Sequence, residues 1–454
     1  MSQPGGRWYH ELTRYHWFVF IVAALGWLFD CLDQQLFNLA RKPAITELLG
    51  PDTAGNVIDQ YSAYATAIFI LGWATGGLIF GVLGDRIGRA KTMMITILMY
   101  SAFTGLSALS RNVYDFSIYR FLTGLGVGGE FAVGVALVAE VMPDRARAHA
   151  LGWLQMLSTV GNVSAALINI SLGVAEGGGA FEGSDWKPWR LMFVVGAIPA
   201  LLAVLIRSKL KEPEKWQEAV AEGKNIQQAG SIRELFSDPR WRKNVFVGLA
   251  LAVPGVVGLW AIGFFSFDFV RAVFRQHYEA QGLSPSEYKG KLTVLVGVVS
   301  VLQNIGAGLG IYSFKLFTER WGRRPAFAVA FLLAMFGTAG TFWFLKDFYD
   351  VFWMIPIMGF CQLSLFGGYA IYFPELFPTR LRSTGISFCY NVGRFGAAAG
   401  TITMGELIRY IGKVCEQDDV MAWRYTAVAM SSVFLIGLVA LIFAPETKGK
   451  PLPE

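Results

Sequence analysis

Charge is scarce in this chain. Asp, Glu, Lys and Arg make up 16% of its 454 residues, against about 25% in ordinary soluble domains. The formal net charge is +6. The basic residues form short clusters between apolar runs, not a continuous basic face with stacking aromatics, and this sets nucleic-acid binding aside. Cysteine is scarce too. Cys31, Cys361, Cys389 and Cys415 show neither CxxC nor metal-ligand spacing, and three of them lie in apolar runs, so they read as unpaired small hydrophobes. HExxH, GxSxG and a phosphate-binding glycine loop after a strand are all missing, which argues against an enzyme. The N-terminal stretch MSQPGGRWYHELTRYHW lacks the short apolar core and cleavage site of a signal peptide.

What remains is apolar. Hydrophobic residues make up 54% and aromatics 15%. A bilayer core needs about 20 apolar residues per helix. Twelve runs qualify, near 17–40, 61–83, 91–110, 114–139, 148–174, 189–207, 244–271, 292–316, 326–345, 350–373, 384–408 and 424–444; they are numbered spans 1 to 12. The expected fold is an all-α membrane protein. Residues 1–207 form one six-helix half, 208–243 a polar central loop, and 244–454 a second half with a short tail. An even number of spans puts both termini on one side. Arg and Lys favour that side, so both termini are expected in the cytoplasm and the chain in the cell membrane.

The halves resemble each other. GDRIGRAK (84–91) aligns with TERWGRRP (318–325) at an offset of 234, EVMPDRAR (140–147) with ELFPTRLR (375–382) at 235, and PWRLMF (188–193) with AWRYTA (422–427) at 234. A nearly constant offset fits a duplicated six-helix unit. Two such halves around a midplane site form a secondary-transporter architecture.

The same stretches carry a family resemblance across essentially the whole chain. GVLGDRIGRAK resembles the loop that marks the major facilitator superfamily, RFLTGLGVGGE (120–130) its span-4 motif, and PETKGKPLP the tail of its sugar-porter branch. WLFDCLD, the GGE ending, PELFPTRLRSTG and YNVGRFG most resemble the carboxylate–proton symporters, which carry aromatic acids, sialate, and lactate or pyruvate. Two departures stand out: Ala90 replaces a basic residue common in the first loop, and Glu319 stands where the first copy has Asp85. The resemblance implies a gate at the cytoplasmic face made from Asp85, Arg86, Arg89, Glu140, Arg145 and Arg147, mirrored by Glu319, Arg320, Arg323, Glu375, Arg380 and Arg382. Exposed ion pairs contribute only ~0–1 kcal/mol each, so a latch needs several. The alternative is that these basic residues merely set topology.

Asp30 and Asp33 lie three apart in span 1 and therefore share a helix face. Gln34 and Asn38 extend the stripe. Charge at the bilayer centre is costly, so the acids must face protein or water. Asp33 lies seven residues before Ala40 and Arg120 seven after Val113, which places both ~10 Å below the surface opposite the termini. Arg120 is therefore expected to approach Asp33, Asp30 or both, and it is a candidate to meet the substrate carboxylate alongside Arg394. Either acid can carry a proton, or one can be a fixed counter-ion. Glu130 is a second proton relay or a structural contact. Arg394, near the middle of span 11 with no acid within a turn, can take a substrate carboxylate or pair across the cavity. Gln155, Gln303 and Asn391 are candidates to line the same cavity. Asp268 reads as an interfacial charge at the end of span 7.

The resulting expectation is proton-coupled symport of an organic anion by a monomer in the bilayer, with the proton as coupling ion and no other cofactor or metal. Sugar or polyol transport, and a non-transporting membrane sensor on the same fold, are the competing readings.

Overall fold

The computed structural model describes residues 9, 12–50, 52–198, 232–377, 382–414 and 419–448. All regular structure among them is helical. Span 1 is Arg14–Leu49, span 2 Gly55–Ile87, span 3 Arg89–Ser107, span 4 Val113–Val141 and span 5 Asp144–Gly177; Pro188–Val195 begins span 6. In the second half span 8 is Pro285–Trp321, span 9 Arg323–Phe344, span 10 Phe348–Leu376 and span 11 Arg382–Val414, while span 12 is Asp419–Ser431 continued by Phe434–Phe443. Eight of these helices are long and apolar enough to cross a bilayer over the described residues; spans 3, 4, 6 and 11 are the ones that do not qualify.

Two boundaries differ from expectation. The central polar stretch is not loop throughout: Ile232–Ser237 is helical, and span 7 already begins at Pro239, where Asp238 accepts a hydrogen bond from the Arg240 N–H at 2.8 Å and Pro takes the first helical position. Residues 199–231, which hold the end of span 6 and the rest of that stretch, lie outside the described residues. Span 7 is also not one straight helix. Pro239–Val257 passes into a π turn at Gly258–Ile262 and a 3₁₀ turn at Gly263–Phe265 before resuming as Ser266–Ala280. Pro254 removes one helical donor, and turns of this kind re-aim side chains.

Helix packing repeats between the halves. Span 2 packs on span 4 and span 8 on span 10; span 1 packs on span 5 and span 7 on span 11; span 3 packs on span 4 and span 9 on span 10. The halves meet where span 2 faces span 11 and span 5 faces span 8, which are the same relation reversed. The glycines that permit the closest packing keep the register of the repeat. A Cβ on Gly72 or Gly76 would sit 2.2 or 2.0 Å from the carbonyl oxygens of Phe121 and Leu125; one on Gly306 or Gly310 would sit 1.9 or 2.3 Å from those of Pro356 and Phe360. Backbones this close are how membrane helices associate without a hydrophobic drive.

Candidate functional site

Span 1 carries the polar stripe into the protein interior. Asp30, Asp33, Gln34, Gln35 and Asn38 are all buried. Asp33 and Arg120 are brought together: an Arg120 Nη1 lies 3.8 Å from Asp33 Oδ2, and neither side chain is exposed. Thr104 donates to Asp33 Oδ1 at 2.5 Å. Arg120 is held by its own set of acceptors, donating to Ser107 Oγ at 2.8 Å and Thr123 Oγ1 at 3.0 Å, with its guanidinium 4.6 Å from the Phe193 ring centroid. Asp33 thus has a cation and a donor.

Asp30 and Glu130 are different. Among the described residues, Asp30 accepts only a long bond from Gln34, 3.4 Å, and its other oxygen has no partner; both Glu130 oxygens are buried and have no partner there either. Glu130 reaches span 1 because Gly26 has no side chain: a Cβ there would lie 2.2 Å from Glu130 Oε1. Asp30 lies within electrostatic reach of Glu130, Asp33 and Arg394. Three carboxylates therefore share the interior of the first half, of which one is engaged with an arginine.

Arg394 faces them from span 11. Its Nη1 donates to Asn391 Oδ1 at 2.6 Å, and its guanidinium lies over Trp73 of span 2, 4.1 Å from the ring centroid. Among the described residues no carboxylate reaches ion-pair distance of it. Asn391 itself occupies the space left by Gly77, where a Cβ would lie 2.5 Å from its Oδ1. Trp73 continues into an aromatic wall across the seam, with Trp260 at 5.1 Å and Phe264 a further 4.8 Å on. Trp260 is in the π turn of span 7, a contribution invisible in a hydrophobic run. Gln303 donates to Gly263 O at 3.4 Å, and its oxygen, like that of Gln362, has no partner among the described residues. Asn162 and Asn304 join spans 5 and 8 at 3.0 Å. The Gln155 side chain lies outside the described residues.

At the end of the bundle bearing the termini, Arg323 donates to both oxygens of Glu375, from Nη2 at 2.6 Å and from Nε at 3.0 Å. Thr447 adds a bond to Glu375 at 2.5 Å. Arg323 and Glu375, both expected in the second-half gate, are thus brought together; the side chains of Arg380 and Arg382 lie outside the described residues. The PETKG tail docks here: Glu446 accepts the Arg323 and Arg324 N–H groups at 2.9 and 3.0 Å, capping span 9. Burial opposes ionisation of Glu446, but the surrounding backbone N–H groups outweigh it and hold the carboxyl below its ordinary range. Arg320 is exposed and receives Lys448 on its carbonyl. Arg89 is described at the start of span 3 and is half-buried. The side chains of Asp85, Arg86, Glu140, Arg145, Arg147 and Glu319 lie outside the described residues.

The opposite, distal end holds a cluster the sequence reading missed. Asp268 is not an interfacial charge but wholly buried, 2.7 Å from the equally buried Arg41. It also pairs with Arg271 at 2.9 Å. Lys42 pairs with Asp59, and Trp423 donates to Asp59 at 3.1 Å. Arg275 pairs with Asp419 at 2.8 Å. Gln60 and Tyr64 both donate to Glu406 across the seam. The signal was available: Asp268 stands 235 residues after Asp33, the offset of the repeat.

Comparison with known proteins agrees with this architecture. The family described as Major Facilitator Superfamily matches residues 23–355 and again 277–454. A putative metabolite transport protein of Haemophilus influenzae is 28% identical over 98% of this chain and 99% of its own length. The cis,cis-muconate transport protein of Acinetobacter baylyi is 29% identical over 95% of each chain. Among solved structures, a D-xylose-proton symporter superposes with a TM-score of 0.72 at 18% identity, covering 96% of this chain and all of its own.

Proposed function

Since the chain belongs to the major facilitator superfamily, a family of multi-pass membrane transporters and not of enzymes, we propose that it is a proton-coupled symporter of an organic carboxylate. The termini lie in the cytoplasm and the Arg41–Asp268 end faces outward. The observation that carries this reading is Arg394: a guanidinium at the seam of the halves, stacked on Trp73 and bonded to Asn391, with no carboxylate of the described chain at ion-pair distance. An arginine at such depth calls for an anion, and a planar guanidinium takes a carboxylate in two parallel bonds. A carboxylate cargo accords with the name of the Acinetobacter relative. A neutral sugar would leave Arg394 without its anion.

The coupling proton belongs on Asp30 and Glu130. A buried carboxylate without a donor is costly as an anion and tolerable as an acid. Asp33 already has Arg120 and Thr104 and serves as the fixed counter-ion. Substrate and proton together reduce the uncompensated charge in the cavity, which lowers the cost of closing it. Coupling follows if the two conformations differ in proton affinity. The experiment is uptake of cis,cis-muconate and benzoate into proteoliposomes with an imposed inward proton gradient, for the wild type and for Glu130→Gln. The proposal requires concentrative uptake by the wild type that the gradient drives, and loss of that drive in the variant with passive exchange retained.

A further inference from the structure

In the charge cluster at the distal seam, each charged residue but Arg41 has, among the described residues, an ion-pair partner within its own half. Lys42 holds Asp59 in the first half. Asp268 holds Arg271, and Arg275 holds Asp419, in the second. The exception is Arg41, whose one carboxylate, Asp268, lies across the seam. Among the described residues this is the ion pair that joins the halves. Arg41 donates to the same Asp268 oxygen from Nε at 3.1 Å and from Nη2 at 2.7 Å, and Nη2 also reaches Phe264 O at 2.9 Å. Its guanidinium lies 3.7 Å from the Phe265 ring centroid. Thr66, at 3.3 Å, is its one partner in its own half. Arg271 ties the same lip down with a bond to Leu39 O at 2.6 Å.

Parting the halves at this end strips Arg41 of its carboxylate, its carbonyl and its ring at once, while Asp268 keeps Arg271. The first-half lip is then Arg41, Lys42 and Asp59, with one unmatched positive charge, and the second-half lip is balanced. The unmatched group is a guanidinium whose Nε–Nη2 edge has just released a carboxylate. We infer that Arg41 is an anion-docking site at the outer mouth: Asp268 fills it while that end is closed, and the carboxylate of an incoming substrate takes the same edge when it opens. The assignment adds a second carboxylate site, eight residues and ~12 Å along span 1 from Asp33, to the Arg394 site. It rests on the carboxylate and outward-end readings above. A mouth charge acts on capture of the ligand and is weakened by salt.

The test uses the full chain in proteoliposomes of defined orientation, with cis,cis-muconate and benzoate as probes. Arg41→Gln is expected to raise KM for uptake from the distal side by roughly tenfold, the effect shrinking at high salt, and to leave KM for efflux from the side of the termini unchanged. Equal changes on both sides, or loss of maximal rate alone, would overturn the site and leave Arg41 a structural latch. Should the wild type move neither probe, the function above fails, and the site is judged by a second measurement. Asp268→Cys, in a background with the native cysteines replaced by serine, is labelled with an anionic sulfonate thiol reagent and with a cationic one. A preference for the anionic reagent that Arg41→Gln abolishes supports the site. An unchanged preference, or no labelling from the distal side, contradicts it.

Discussion

Arg394 of span 11 and Trp73 of span 2 meet face on across the seam between the halves, the guanidinium 4.1 Å from the ring centroid. The contact joins the two halves, and it leaves an edge of the guanidinium not bonded to Asn391, the edge that the proposed function assigns to a carboxylate. Arg394→Lys keeps the charge but loses the plane that both stacks and binds bidentately. It is expected to lower kcat/KM for carboxylate uptake by at least about tenfold, and Trp73→Leu by several-fold, matching the ~0.5–2 kcal/mol of a cation–π contact. Initial rates of uptake across a substrate series decide it. Wild-type kinetics in Arg394→Lys would contradict a bidentate role.

The three acids should separate by their partners. Asp33→Asn leaves Arg120 buried without its anion, which costs on the order of 3–5 kcal/mol when one partner of a buried pair is removed. A large drop in the apparent melting temperature of the detergent-purified protein is expected. Glu130→Gln removes no partner of the described chain and should melt near the wild type. Equal destabilisation by the two substitutions would deny the distinction between counter-ion and proton carrier.

The distal seam depends on glycine. A Cβ at Gly290 would lie 2.5 Å from the Gly177 N and 2.6 Å from the Gly173 O, backbone atoms that cannot rotate away. Gly290→Val is expected to hold spans 5 and 8 apart and slow transport, with a cysteine placed at Thr293 becoming faster to label from the distal side. Unaltered labelling would show that the seam closes without this contact.

Glu446 gives a pH prediction outside the bilayer. Its docked carboxyl titrates below its ordinary value, so its contribution is intact above the undocked value and is lost as pH falls through the docked one. Glu446→Gln should remove about 1 kcal/mol, the order of one helix cap, at neutral pH and little at acid pH. Melting curves at the two pH values measure this; the same deficit at both would mean that the carboxylate charge is not what holds the tail.

Much of the fold was legible because the bilayer constrains the chain so strongly. Apolar runs near 20 residues mark the spans, and a constant offset of 234–235 marks the duplication; that offset even carries over to Gly72 with Gly306 and to Gly76 with Gly310. The Asp33–Arg120 proximity could be read from depth along two helices. The break in span 7 could not, because GLWAIGFF is as apolar as a straight helix, and the consequence was that Trp260 went unnoticed as part of the aromatic wall at the seam. Asp268 was misplaced, and Arg41 passed over, for a related reason. Counting residues from the end of an apolar run assigns such positions to the interface, whereas Arg41 and Asp268 are covered by the opposite half and fully buried. Depth along a helix follows from sequence; burial across a seam depends on which helices face one another.

The central claim is that a proton and a carboxylate move together through this seam. Its most direct test is the reversal potential of the coupled flux in proteoliposomes, read as the muconate or benzoate ratio at which an imposed pH difference gives no net movement. The account predicts that this ratio shifts with the pH difference in the wild type and stays at unity in the Asp30→Asn/Glu130→Gln double variant. A wild-type ratio indifferent to pH, or a double variant that still follows it, would contradict the account.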